Sequence, residues 1–516
     1  MDGLQRPETS PLFDLFVVGG GINGVGIAND AAGRGLKVLL CEQRDLASAT
    51  SSSSSKLIHG GLRYLEYYEF RLVKEALRER EVLLKKAPHI IWPLRFRLPH
   101  RPFLRPAWLI RLGLFLYDHL SSRRSLPATA MLSADTCPEL QPEFQKLFEY
   151  SDCWVDDARL VVLNAMQARQ FGAEILTHHR CVSAHRTDDC WQITLEDADG
   201  MRRHARAKGI VNAAGPWVTE LFSTGLDVDT DKKIRLVQGS HIVVPKLHEG
   251  KHAYILQNED KRIVFVIPYQ QDYSLVGTTD LDFQGDPHRA HITDSEVDYL
   301  LGVINGHFRQ QTMTSDIKWS YAGVRPLLDN DAGSASAVTR DYTLDLNAPE
   351  QKLPLVSVFG GKITTYRKLS EACVNKLAPF YEQMTAPWTA NAALPGGNFS
   401  TPEALSTTLE LHFPWLPASL RQRYVTTYGT LSFELLQDCN SLKDLGEHFG
   451  AGLYVAEVNY LMKYEWAMNS EDILWRRTKL GLELSLKQRE SLEYFMQQAQ
   501  KLSEWLSLND VQQFAS

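Results

Sequence analysis

The stretch DLFVVGGGINGVGIANDAAGRGLKVLLCE, residues 14–42, decides the fold. Its apolar pattern changes period twice. A run from Leu15 to Val18 meets a glycine cluster, an alanine-rich amphipathic segment follows to Gly33 and Gly35, and a second run spans Val38 to Cys41. This reads as strand, turn, helix, strand, the opening of a Rossmann-like α/β fold. Gly19, Gly21 and Gly24 take the G-x-G-x-x-G positions, and Glu42 closes the second strand. Glycines there permit a tight turn and bring backbone N–H groups to a pyrophosphate at a helix N-terminus. A carboxylate at the end of the next strand accepts hydrogen bonds from an adenosine ribose. NAD and FAD both fit this fingerprint. No second one occurs in the chain, so a bound flavin would need an acceptor other than a nicotinamide nucleotide.

Farther along, short β-branched runs at Ile242–Val244, Tyr254–Leu256, Ile263–Ile267 and Ser274–Val276 have no helical pattern between them, which predicts antiparallel sheet. A run from Leu355 to Phe359 enters Gly360 and Gly361 ahead of a helical pattern, so the strand-turn-helix motif returns late. Beyond Pro395 the character becomes helical, and Ser485 with Gln488 forms a capping box before a long amphipathic stretch.

Composition narrows the class. With 516 residues, 44% hydrophobic and 23% charged, the chain is a folded globular protein, and its 55 basic against 62 acidic residues argue against nucleic acid as a partner. Seven scattered cysteines without a C-x-x-C suggest neither a disulfide framework nor a thiolate metal site, so no metal is expected. The opening Met-Asp-Gly-Leu-Gln-Arg lacks a signal-peptide pattern, and no apolar run is long enough to span a bilayer, which points to the cytoplasmic side. Residues 82–117 nevertheless contain no acid. There Lys85, Lys86, Arg95, Arg97, Arg101, Arg105 and Arg111 interleave with Trp92, Phe96, Phe103, Trp108 and Phe115. Such a segment suits monotopic contact with an anionic membrane surface, as a proline-broken loop followed by a short helix from Ala107.

Several ordered motifs then coincide: ATSSSSSKLIHGGLRYLE at 49–66, YSDCWVDDAR at 150–159, NAAGPW at 212–217, GSH at 239–241, GTTD at 277–280, GVRP at 323–326, TRDY at 339–342, FGGKITTYR at 359–367 and DILWRRTK at 472–479. Together they resemble the FAD-dependent glycerol-3-phosphate dehydrogenases, closest to the aerobic respiratory bacterial type. The resemblance implies FAD, held by Gly19, Gly20, Gly21, Ile22, Asn23, Gly24, Glu42, Thr50, Ser51, Ser55, Lys56, Leu57, His59, Gly60, Gly61, Val182, Ala213, Gly215, Gly360, Gly361, Lys362, Ile363 and Thr364. It further implies a discontinuous FAD-binding domain (11–80, 150–225, 341–394), a membrane-facing segment (81–149), an antiparallel-sheet substrate domain (226–340) and a helical C-terminal domain (395–516).

Oxidising a secondary alcohol with a flavin requires a proton acceptor and anchors that hold the reacting carbon over the ring. For a phosphorylated substrate the arginine fork is the natural anchor, so Arg63, Arg325 and Arg340, with Tyr64, Thr278 and Lys362, form the expected clamp. His241 matches the family's active-site histidine, with Arg325 and Lys362 as cationic neighbours that could share management of the proton. The implied reaction converts glycerol 3-phosphate to dihydroxyacetone phosphate and passes electrons to ubiquinone or menaquinone at the cytoplasmic face of the inner membrane. Transfer to oxygen, or a non-catalytic FAD scaffold that docks on lipid, are the rival readings. A homodimer is one use open to the C-terminal helices.

Overall fold

A computed structural model describes residues 10–101, 103–120, 125–226, 228–277, 279–329 and 341–514, without the side chains of Arg63, Glu66, Tyr67, Ala134 and 503–514. Two compact units result, Met1–Leu394 and Pro395–Ser516.

The first unit is built on two sheets. In one, Leu12–Val18 lies between Val38–Cys41 and Arg202–Asn212, parallel to both, with Val17 opposite Leu40 and Val211. Leu355–Phe359 extends the parallel set beyond Arg202–Asn212, and Thr343–Asn347 closes that edge antiparallel. The strand order reverses at Leu12–Val18, so the crevice beyond its C-terminal end is the natural ligand position of such a sheet. Leu15, Phe16 and Val17 are fully buried, as strands covered on both faces must be. The helix Ile22–Gly33 packs against Asp157–Gln170 and Tyr366–Leu377.

The second sheet is larger than the β-branched runs alone suggest. The expected antiparallel strands are present as Ile234–Pro245, Ala253–Gln257, Ile263–Tyr269 and Tyr273–Gly277, the first pairing with the fourth, and Trp319–Leu328 pairs with the first along its length. Ile91–Pro99 and Lys146–Val155 join the same sheet, the former parallel to Ala253–Gln257. Its covered face buries Ile242, Val244, Tyr254 and Val266 against Leu300 and Ile304 of the helix Asp294–Asn305.

One expectation for 82–117 needs correction. The prolines do not make a loop of its first part, because Ile91–Pro99 is a strand. Ala253–Gln257 pairs with it only at Phe96 and Arg97, which leaves an open edge near Pro93 where a missing N–H is tolerated. Several of its cations are engaged within the fold. Arg95 and Arg97 both bond Glu149, Arg101 bonds Glu143, and buried Lys86 donates to Thr389 O and Ala392 O. The short helix does begin at Ala107, and along Ala107–His119 it exposes Trp108, Leu112, Phe115 and Leu116 beside Arg111 while burying Leu114 and Tyr117.

The second unit is a helical bundle whose core includes Tyr424, Tyr428, Leu461, Ile473, Leu492 and Met496. Its buried Glu457 is satisfied by Arg423 and by the Tyr428 hydroxyl at 2.6 Å.

Candidate functional site

A cavity of about 360 Å³ opens where the two sheets of the first unit meet. One end is the glycine turn. Gly24 admits no side chain, because a Cβ would come within 1.9 Å of Gly19 O. At the helix start, Ser51 Oγ accepts from Ile22 N at 3.0 Å. Glu42 accepts from Gly20 N at 2.7 Å and Arg44 N at 2.9 Å, and burial pushes its carboxyl above the usual range.

The serine tract is fixed rather than flexible. Thr50 Oγ1 donates to Val324 O at 2.6 Å, and Ser54 Oγ to Asp157 Oδ2 at 2.7 Å. Buried Lys56, in the left-handed region at φ 56°, donates to both Asp157 oxygens at 2.9 and 3.0 Å. A loop pinned at one end by the Thr50–Val324 hydrogen bond and at the other by a buried ion pair presents its backbone and hydroxyls to the cavity without paying the ordering entropy on binding. Opposite, Gly360 and Gly361 take φ of 75° and 105°, which carries the chain past the cavity before the helix Tyr366–Leu377. His59 N donates to Thr364 Oγ1 at 3.2 Å, and Asn23 Nδ2 to Gly360 O at 3.2 Å, closing the two segments around the space.

The other end carries charge. Tyr64, Arg325 and Lys362 line it, Lys362 Nζ standing 3.8 Å from the Tyr64 ring centroid. Arg325 pairs with Asp280. His241 lies behind this wall, buried, with Nε2 3.0 Å from Ser55 Oγ and its ring stacked on Tyr321. Burial, with the cations of Arg325 and Lys56 nearby, holds His241 well below the ordinary imidazole range, which disfavours its protonated form. On the opposite face of its strand, Gln238, Ser240 and Thr279 donate to the Glu296 carboxylate at 2.9, 2.8 and 2.6 Å, tying Asp294–Asn305 to the strand.

Most residues expected from the sequence therefore converge. Gly19, Gly21, Ile22, Asn23, Glu42, Thr50, Ser51, Ser55, Leu57, His59, Ala213, Gly215, Gly360, Gly361, Lys362, Ile363 and Thr364 line the cavity. Gly20, Gly24, Lys56, Gly60 and Gly61 are not among the lining residues; Gly60 N donates to Tyr117 Oη at 2.8 Å, away from the space. Val182 is not on the wall either, where its neighbours His179, Arg180 and Cys181 are. Thr278, Arg340 and the Arg63 side chain lie outside the described residues. The sequence reading missed one cluster: Trp217 stacks on His288 at 4.1 Å, and His288 Nε2 lies 3.1 Å from Gln43 Nε2 at the Glu42 end. His288 comes from a turn with no motif, so only Trp217, inside NAAGPW, gave a signal.

The glycine turn, the carboxylate and the elongated cavity fit a dinucleotide, and the cationic end fits an anionic substrate or a reduced ring. Buried Asn23 Oδ1, without a hydrogen-bond partner, sits at the helix start beside that space. These features define an FAD-dependent oxidoreductase, and residues 14–367 match the family of that description, while 387–508 match the C-terminal domain of alpha-glycerophosphate oxidase. A glycerol-3-phosphate dehydrogenase of Pseudomonas aeruginosa is 58% identical over 94% of this chain and 95% of its own. The aerobic glycerol-3-phosphate dehydrogenase of Escherichia coli is 53% identical over 96% and 97%. A crystal structure of glycerol-3-phosphate dehydrogenase from Bacillus halodurans complexed with FAD superposes with TM-score 0.72 at 25% identity, covering 94% of each chain. The chain belongs to the FAD-dependent glycerol-3-phosphate dehydrogenase family, and its cofactor is FAD.

Proposed function

We propose that the protein oxidises glycerol 3-phosphate to dihydroxyacetone phosphate and delivers the electrons to a membrane quinone, ubiquinone or menaquinone. The observation that carries this reading is the convergence of Arg325, Lys362 and Tyr64 at one end of the cavity, with His241 behind that wall in contact with the lining residue Ser55. FAD supplies the hydride acceptor. Arg325 and Lys362 bind the phosphate, assisted by Thr278, Arg63 and Arg340 from the matching motifs. Lys362, near the start of a helix, also favours negative charge beside it. His241 takes the substrate hydroxyl proton through Ser55, whose Oγ bridges the imidazole and the cavity. Glu296 keeps the strand of His241 in place from behind, and Asp157 does the same for the Ser54–Lys56 segment.

The exposed face of Ala107–His119 supports docking on the cytoplasmic leaflet. Trp108 is 68% and Phe115 54% exposed, with Arg111 beside them, and no described helix is long and apolar enough to cross a bilayer. A quinone confined to the lipid is an acceptor for which such docking has a use.

Anaerobic addition of glycerol 3-phosphate to FAD-loaded protein, with the flavin spectrum recorded, tests the first half-reaction. Bleaching is expected, and its failure would favour a non-catalytic scaffold. Stopped-flow mixing of the reduced protein with a quinone analogue or with oxygen tests the second. Fast peroxide formation without quinone would make the protein an oxidase instead.

A further inference from the structure

Outside the quoted motifs, Cys137, Glu139 and His252 bring one sulfur, one carboxylate and one imidazole nitrogen within 4.8 Å of one another. Cys137 is 3% exposed, and the side chains of His252 and Glu139 are 10% and 18% exposed. His252 Nε2 is buried with no hydrogen-bond partner and points at Glu139 Oε1 across 3.5 Å. An imidazole nitrogen held to a carboxylate only by a long 3.5 Å contact, with a thiol sulfur within 4.8 Å, is an arrangement a metal ion would complete.

We propose that Cys137 Sγ, Glu139 Oε and His252 Nε2 form a binding site for a divalent ion of intermediate softness, Zn²⁺ above all. The donor set decides the class. Sulfur and imidazole disfavour Mg²⁺ and Ca²⁺, whereas Cys, His and carboxylate are all ordinary zinc ligands at roughly 2.0–2.3 Å. The three atoms close around the ion by side-chain adjustment, and the partly exposed Glu139 marks both the entrance and the open fourth position.

The surroundings behave as supporting groups. The Tyr254 hydroxyl donates to Glu139 and orients that carboxylate. Arg97 Nη1 donates to Cys137 Sγ at 3.0 Å while its Nε holds Glu149 at 3.1 Å, so the guanidinium is anchored independently of the sulfur. A thiolate accepts an N–H and a metal through different lone pairs, and such N–H donors commonly surround metal-bound ligands. His248 stacks on His252 with centroids 4.6 Å apart, which fixes the plane of the ligating ring. Since Cys137 and Glu139 follow the strand Ala130–Ser133 and His252 precedes Ala253–Gln257, the ion would staple two segments distant in the chain.

Co²⁺ titration of the metal-stripped holoenzyme tests the site, because tetrahedral Co²⁺ with a thiolate ligand gives d–d bands at longer wavelength than flavin absorption. The expected result is one Co²⁺ per chain, displaced by Zn²⁺. The bands should vanish in Cys137→Ser and His252→Gln with FAD content unchanged, and Tyr254→Phe should weaken affinity about tenfold to hundredfold. Should Cys137→Ser fail to fold, His252→Gln decides alone. Absence of bands in the wild type, or their survival in His252→Gln, overturns the assignment.

Discussion

The parallel sheet meets the cavity with backbone, the antiparallel sheet with side chains. On the first, the turn at Gly19–Gly24 and the bend at Gly360–Gly361 bring main chain against the dinucleotide space, with Glu42 and Lys362 as the charges it contributes. On the second, Arg325 and His241 sit on neighbouring strands, each close to charge it must share or resist: Arg325 against Asp280, His241 beside Arg325 and Lys56. Holding the cofactor is thus a matter of space, and acting on the substrate is a matter of charge. The two can be broken separately.

The largest effect is expected at the backbone side. Gly24→Val places atoms where even a Cβ meets Gly19 O at 1.9 Å, so the purified protein should carry no FAD by its visible spectrum. His241→Ala should instead keep its flavin and lose about 10²- to 10⁴-fold in the rate of flavin reduction. An unaltered rate in stopped-flow would remove His241 as the base, and loss of flavin would show that the two sheets are not separable. Arg325→Ala should cut kcat/KM by about 1.5–3 kcal/mol, through the loss of a charge-assisted pair, with FAD content intact.

Acid should also find the antiparallel side first. Burial lowers His307 to about 4, and burial with Arg159 lowers His89, which precedes the strand Ile91–Pro99, to about 3. Unfolding restores both to an ordinary value near 6.5, so below that pH the unfolded chain binds protons that the folded chain refuses, and stability falls as pH falls. Denaturant titrations at pH 7 and pH 5 should show on the order of 1–2 kcal/mol lost per group, and His307→Gln should recover part of it. The smallest effect belongs to the exposed helix. Arg111→Gln should weaken binding to anionic vesicles by about 1 kcal/mol and leave turnover with a soluble dye unchanged.

The same contrast governs what could be read in advance. The nucleotide side was legible because its determinants are contiguous: a glycine spacing, a strand on either side, an acid at a fixed interval. On the substrate side, Arg325 and His241 carry no local pattern, and only the long motifs around them mark them out. Glu296 and His288 were invisible, since each acts by reaching across from a separate segment. The strand at Ile91–Pro99 was lost to its prolines, whose cost vanishes at an open edge. The cluster of Cys137, Glu139 and His252 has no spacing signature, because the chain returns to it only after passing through the strands up to Ile234–Pro245.

On the proposed reading, in which Arg325 holds the substrate phosphate, its pairing with Asp280 bears on product release. A guanidinium already engaged by a carboxylate gains from an arriving phosphate only the difference between two ion pairs. Saturation then requires more ligand than a bare cation would, small stray anions are turned away, and the ketone leaves with the affinity its phosphate arrived with. The carboxylate keeps the enzyme from becoming a sponge for its own product.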